Sequence, residues 1–271
     1  MPAHLVQVLN DGFKLRMRHR EFHKLIRTKS AGAATGFFDD YPRFLSTSQT
    51  FATRNRLNER HRALIQENAS TLAGKRVLDL ASHDGRWSLA ALKGGAASVV
   101  GIEARAQLVE KAEANMRHYG VPLEQFHFVC GDVFTEINRL SVGSFDIIFC
   151  LGFLYHTIHH MWLLQNLARL QPKYLILDTR IDPHSGTKID LHFESSEVEG
   201  CAFASEPRKM LVGEPTRDAL HCMLTAAGFR QPHYYDWHRA KVEHWDDLED
   251  YYMGKRVTLV SQAADCPVES V

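Results

Sequence analysis

A chain of 271 residues is long enough for one large α/β domain with an appendage. Its 45% hydrophobic and 24% charged residues match an ordinary globular protein and exclude a disordered or fibrous class. Lys plus Arg and Asp plus Glu both number 32, so the formal charge is zero and nothing in the composition supports tracking of a nucleic-acid backbone.

Cys130, Cys150, Cys201, Cys222 and Cys266 contain no CxxC pair and read as reduced thiols of a cytoplasmic protein. The N-terminal stretch lacks an apolar run of signal-peptide length, and no eighteen consecutive apolar residues occur, so neither export nor a membrane partner is expected.

From Val77 onward, apolar β-type runs alternate with helical periodicity, the pattern of a parallel sheet covered by helices. The order predicts a strand at 76–80, a helix at 86–93 ended by Gly94-Gly95, a strand at 98–103 and a helix at 106–119 stopped by Gly120. Strands at 126–130 and 145–151 follow, then a helix whose buried stripe is Leu163, Leu164, Leu167 and Leu170. A strand at 173–178, a helix N-capped by Thr216 and closed by Gly228, and strands at 234–237 and 256–262 complete the series. The fold class expected is α/β: a doubly wound, mostly parallel seven-stranded sheet with helices on both faces. Residues 1–56 form an N-terminal extension, 57–263 the main domain and 264–271 a C-terminal tail. Residues 180–215 are longer than a strand-to-helix connection needs and read as a lid-like insertion, with a surface excursion as the alternative. In the extension, the aromatic cluster Gly36-Phe37-Phe38-Asp39-Asp40-Tyr41-Pro42 reads as a packed anchor or as a cover that keeps water from the site.

The first chemical signal is Val77-Leu78-Asp79-Leu80-Ala81-Ser82-His83-Asp84-Gly85, an apolar strand running into a tight turn and then a helix. That geometry lets a nucleoside-bearing ligand approach backbone amides at the carboxyl edge of a sheet. The second is Glu103, at the end of the next strand and 24 positions after Asp79, where a carboxylate can accept hydrogen bonds from ribose hydroxyls. The third is Gly131-Asp132-Val133, after the third strand. Taken singly, each acid is equally a helix cap; three acids at successive strand ends exceed what a dehydrogenase needs.

These residues, with Ser144-Phe145-Asp146-Ile147-Ile148-Phe149-Cys150-Leu151-Gly152-Phe153-Leu154-Tyr155-His156, resemble the class I, Rossmann-like S-adenosylmethionine-dependent methyltransferases over roughly 77–229. In motif the segment from Phe145 to His156 is most similar to the branch containing the tRNA wobble-uridine carboxymethyltransferases and related small-molecule enzymes. Asp79 and Gly85 match the family's acid-and-glycine loop, whereas Ala81 and His83 stand where it has glycines. The resemblance implies S-adenosyl-L-methionine as cofactor, bound by Asp79, Ala81, Ser82, Gly85, Glu103, Asp132, Val133, Cys150 and Leu151. It also places His156 near the transferred methyl group, where a neutral imidazole can serve as general base. Tyr155, Asp178 and Asp182 are the expected acceptor contacts. His156, Asp178 and Asp182 could also converge above the sheet, where hard oxygen ligands suit magnesium or calcium; alternatively the two acids cap the turn after the fifth strand. The catechol-type enzymes of the family carry their metal-binding acid where this chain has Cys150-Leu151-Gly152, so metal dependence of that type is not implied.

The function expected is O-methylation of a small polyhydroxylated metabolite such as a sugar, with His156 as base and self-association left open. A tRNA-modifying enzyme of the wobble-uridine type and a non-catalytic nucleotide-binding scaffold, which the lost glycines would suit, are the alternatives.

Overall fold

The structure, a computed structural model, describes residues 36–50, 53–195, 209–242, 245 and 247–264. Cys201, Cys266, the first 35 residues, the middle of the 180–215 insertion and most of the C-terminal tail lie outside the described residues.

Three short helices, α1 (Phe37–Asp40), α2 (Arg43–Thr47) and α3 (Arg54–His61), precede α4 (Ala69–Leu72). The sheet domain then alternates strand and helix: β1 (Arg76–Leu80), α5 (Arg86–Lys93), β2 (Ser98–Glu103), α6 (Ala106–His118), β3 (Phe126–Cys130), α7 (Val133–Glu136) and β4 (Ile147–Leu151). A 3-10 turn (Leu154–His156), α8 (His160–Arg169) and β5 (Tyr174–Arg180) follow, then a hairpin of β6 (Ile189–Ser195) and β7 (Lys209–Pro215). The chain closes with α9 (Arg217–Ala226), β8 (Phe229–Tyr234), α10 (Glu249–Tyr252) and β9 (Arg256–Ala263).

Seven strands form one sheet in the order β3-β2-β1-β4-β5-β9-β8. The first five are parallel and β9 runs antiparallel between β5 and β8. Successive strand residues point to opposite faces, so Val77, Ile147, Phe149 and Ile176 enter one apolar layer with Phe38, Trp87 and Met116. Leu78, Ile148, Cys150 and Leu177 enter the other, with Leu163, Leu167 and Leu220. Both faces are buried, which is why β1 and β4 read as nearly unbroken apolar runs. The order of strands reverses between β1 and β4. At that reversal the connections diverge, and a crevice opens beyond the carboxyl ends of the strands.

The anchor reading of the aromatic segment has direct contacts behind it. Phe38 is fully buried, edge-on to Trp87, and Phe37 stacks on His61 with 4.1 Å between ring centroids. Arg43 Nε donates to Asn115 Oδ1 on α6 at 2.7 Å, and Thr47 Oγ1 donates to Asp84 Oδ2 at 2.7 Å. These residues therefore clasp the turn that follows β1.

Two expectations need correction. The strand expected at 234–237 lies instead at Phe229–Tyr234, pairing antiparallel with β9 across an irregularity between Arg230 and His233. Pro232 is tolerated there because β8 is a sheet edge, and Trp237 leaves the sheet to pack 4.0 Å from the Tyr251 ring. The arms of the insertion are no irregular excursion: β6 and β7 pair antiparallel from Ile189↔Pro215 to Ser195↔Lys209. Residues 196–208, which the lid reading also needs, lie outside the described residues.

Candidate active site

The turn after β1 keeps the backbone that glycines would normally supply. Ala81 has φ 50° and His83 φ 55°, both left-handed, and Gly85 at φ 79° opens α5. A Cβ on Gly85 would lie 3.1 Å from both Ala112 and the Phe128 ring, so a side chain here would have to push its neighbours aside by a few tenths of an ångström on top of the strain of its positive φ. Left-handed backbone costs a non-glycine residue about 1–2 kcal/mol. The surrounding bonds hold it: Ser82 N donates to Ile102 O at 3.0 Å and Gly85 N to Ser82 O at 3.0 Å.

Asp79 is buried beneath this turn and accepts a 2.6 Å hydrogen bond from Ser88 Oγ. Burial, opposed by that bond and reinforced by the charge of Glu103, pushes its carboxyl up to about 7. Burial also opposes ionisation of Asp84, yet Arg86 and His83 hold it well below the usual carboxylate range. Glu103 ends β2 and is bound on both oxygens: His83 N donates to Oε2 at 3.0 Å, and Arg105 N and Nε donate to Oε1 at 3.1 and 2.9 Å. Asp132 follows β3 and caps α7 through a 2.8 Å bond from Phe134 N.

These strand ends open onto a cavity of about 1220 Å³. Of the residues expected to bind cofactor, Ala81, Glu103, Asp132, Val133 and Leu151 line it. Asp79, Ser82, Gly85 and Cys150 stand behind the wall; burial pushes the Cys150 thiol up to about 12. Of the expected acceptor contacts, Tyr155 and Asp182 line the cavity with His156. Asp178 does not. It is fully buried under the floor, bonded by Arg60 Nη2 at 3.0 Å, Arg256 Nε at 2.7 Å, Tyr251 OH at 2.8 Å and Thr258 Oγ1 at 2.7 Å. Despite its burial, the guanidinium groups of Arg60 and Arg256 hold its carboxyl well below the usual carboxylate range. The carboxylate is thus occupied by four partners from α3, β9 and α10. Asp182 accepts from His184 N at 3.1 Å. Among the described residues, no group of three or more His, Cys, Asp or Glu is arranged to hold a metal ion.

Several wall residues carry no local sequence signal. Arg60 enters from α3 and lies 4.9 Å over the Trp87 ring, while Arg180 and Arg256 flank Tyr155 at 5.5 and 5.3 Å. Behind the wall, Glu194 of β6 places Oε2 2.8 Å from His156 Nδ1.

The acceptor set suits a ribonucleoside. Glu103 and Asp132 present acceptors for hydroxyl and amino hydrogens at adjacent strand ends, and Val133 and Phe134 supply apolar wall between Asp132 and the turn after β4. Beyond them, His156 and Tyr155 face the remaining space beside the hairpin.

The model of the family described as methyltransferase domain matches residues 77–172. The chain is 41% identical over 77 residues to ribosomal RNA large subunit methyltransferase I of Photobacterium profundum, covering 28% of this chain and 19% of that protein. Over 76 residues it is 34% identical to ribosomal RNA large subunit methyltransferase K/L of Syntrophotalea carbinolica, covering 28% and 10%. The chain thus spans a fifth or less of the length of these two curated relatives. Among solved structures, the N-terminal domain of EvdMO1, in the presence of SAH and D-fucose, superposes with a TM-score of 0.55 at 20% identity, over 93% of this chain and 97% of that one. The [4+2]-cyclase SpnF superposes with a TM-score of 0.53 at 16% identity, over 78% and 81%. Residues 77–172 thus match a methyltransferase domain, and the chain shares the Rossmann-like α/β fold of these solved structures.

Proposed function

We propose that this protein is an S-adenosylmethionine-dependent methyltransferase that methylates a hydroxyl of a small polyhydroxylated acceptor such as a sugar. The observation that carries this reading is the presence of Glu103, Asp132 and His156 on the wall of one cavity. Glu103 accepts from the ribose hydroxyls, Asp132 from the adenine amino group, and Val133 packs on the ring. Asp79, Ser82, Gly85 and Cys150 shape the wall from behind, and Ala81 and Leu151 complete it. When bound, the cofactor supplies a methyl group on a sulfonium, which needs a nucleophile held in line more than it needs activation. His156 supplies the remaining need by taking the hydroxyl proton as the oxygen attacks. Tyr155 and Asp182 lie where an acceptor would touch them, and the polar pair Asp190 and Glu214, opposite each other on the hairpin, suits hydroxyl groups. The EvdMO1 domain with SAH and D-fucose lends this acceptor class support by likeness of fold.

The ribosomal RNA relatives favour a second reading, modification of a nucleic acid, to which the Phe145–His156 resemblance also inclines. The zero net charge opposes it. A screen with methyl-labelled S-adenosylmethionine decides between them. The acceptors are free hexoses and deoxyhexoses including D-fucose, inositols, and total tRNA and ribosomal RNA, each with and without magnesium. Label in a hexose or cyclitol supports the first reading and label in RNA the second. Calorimetry showing affinity for neither S-adenosylmethionine nor S-adenosylhomocysteine would leave a scaffold.

A further inference from the structure

Glu194 stands behind the wall residue His156 and comes from an element outside the seven-stranded sheet. It sits on β6 opposite Met210 of β7, and its side chain is 14% exposed against 9% for His156. Side-chain contacts from three residues, His156, Arg180 and His160, hold the hairpin at the carboxyl end of the sheet, and Asp182 N donates to Pro215 O at 3.1 Å. Glu194 Oε2 lies 2.8 Å from His156 Nδ1. Arg180, at the end of β5, spans both hairpin strands, with Nε 2.9 Å from Glu214 Oε1 and Nη1 3.8 Å from Glu194 Oε1. His160 Nε2 lies 3.0 Å from Gly213 O.

A neutral imidazole has one donor nitrogen and one acceptor nitrogen, and an ionised carboxylate can only accept. Burial opposes the charge on Glu194, but the bond to His156 and the neighbouring Arg180 and His192 keep its carboxyl below the usual range. The hydrogen shared with an ionised Glu194 must therefore come from Nδ1, which puts the ring lone pair on Nε2.

We infer that Glu194 is the positioning residue for His156: the hairpin carboxylate fixes the ring and the tautomer in which Nε2 is the base. The inference rests on the reading of His156 as base. In the step so assisted, a C–O bond forms between the acceptor oxygen and the methyl carbon, and the C–S bond breaks with its electron pair left on sulfur. The hydroxyl proton passes to Nε2, and the imidazolium so formed is stabilised by Glu194 across the Nδ1 bond. The other charged or titratable groups around this pair are Arg180 of β5, His192 of β6, Glu214 of β7, Arg256 of β9 across the Tyr155 ring, and Tyr155 and His159 of the turn itself.

The decisive experiment observes the ring nitrogens of 15N-histidine-labelled full-length protein by NMR, without cofactor, at a pH where the imidazoles are neutral. His156 in the parent should carry its hydrogen on Nδ1, and Glu194→Ala should move it mainly to Nε2, the tautomer that free histidine prefers. Glu194→Asp should restore part of the Nδ1–H population. With the hexose or cyclitol turned over fastest in the screen, Glu194→Ala should lower kcat about 10–100-fold. The acceptor KM and the affinity for S-adenosylhomocysteine should stay within a few-fold. Unchanged Nδ1–H occupancy in Glu194→Ala overturns the inference. So does an unchanged kcat in that variant when His156→Ala loses turnover, and this result spares the base reading. Full turnover in both variants overturns the base reading and the inference together.

Discussion

Arg256 Nε donates to Asp178 Oδ1 at 2.7 Å, and the same Arg256 side chain is part of the cavity wall. A residue that lines the site is thus held rigid by a carboxylate with no access to the site. Asp178→Asn should keep the shape but remove the charge, leaving Arg60 buried without its counter-ion and Arg256 with only Asp250, 3.8 Å from its Nη1. Breaking one partner out of such a buried group costs on the order of 3–5 kcal/mol, so a marked fall in chemical-denaturation midpoint is expected. An unchanged midpoint accompanied by a selective rise in acceptor KM would return Asp178 to the role of acceptor contact.

Glu103 is expected to dominate cofactor affinity. Loss of its hydrogen bonds to two ribose hydroxyls should cost about 1.5–3 kcal/mol, so Glu103→Ala should bind S-adenosylhomocysteine roughly 10–100-fold more weakly. Glu110→Ala, on the exposed face of α6, should bind like the parent. Calorimetric titrations that give all three proteins one affinity would remove the cofactor from this crevice.

His61 is nearly inaccessible, stacked on Phe37, and burial lowers its pKa from 6.5 to about 4. Between those values the unfolded chain binds a proton that the folded chain refuses, so folding stability should fall as the pH drops from 6.5 towards 4. The loss attached to this one group is on the order of 2–3 kcal/mol. His61→Phe preserves the stack and should flatten that part of the stability profile, measured by urea unfolding at a series of pH values. An acid limb of the same depth in both proteins would assign it to other groups.

Much of this architecture is legible in the chain because its signals are local. The runs Arg76–Leu80 and Ser98–Glu103 are apolar on both faces of a covered sheet, and the acid of Glu103 falls where the strand ends. Even the missing glycines were informative, since the turn keeps its left-handed backbone at Ala81 and His83. What a linear reading cannot supply is the partner that arrives from elsewhere. Asp178 at a strand end looks available until Arg60, 118 positions earlier, closes over it. Glu194 lies 38 positions beyond His156 in a segment with no helical or sheet-core pattern, and only the hairpin's placement joins them. The strand shifted from 234–237 to Phe229–Tyr234 belongs to the same class, because edge position is what makes Pro232 acceptable.

A general base at His156 requires that chemistry and cofactor binding separate there. The measurement is turnover of His156→Ala with the best acceptor at saturation and labelled S-adenosylmethionine, alongside its calorimetric affinity for S-adenosylhomocysteine. A positioned general base contributes about 10²–10⁴-fold. The variant should therefore lose turnover by that factor and keep its cofactor affinity within about two-fold, while alanine at His159 costs far less. Turnover of His156→Ala within a few-fold of the parent would contradict the account and leave the cavity to an acceptor that needs no base.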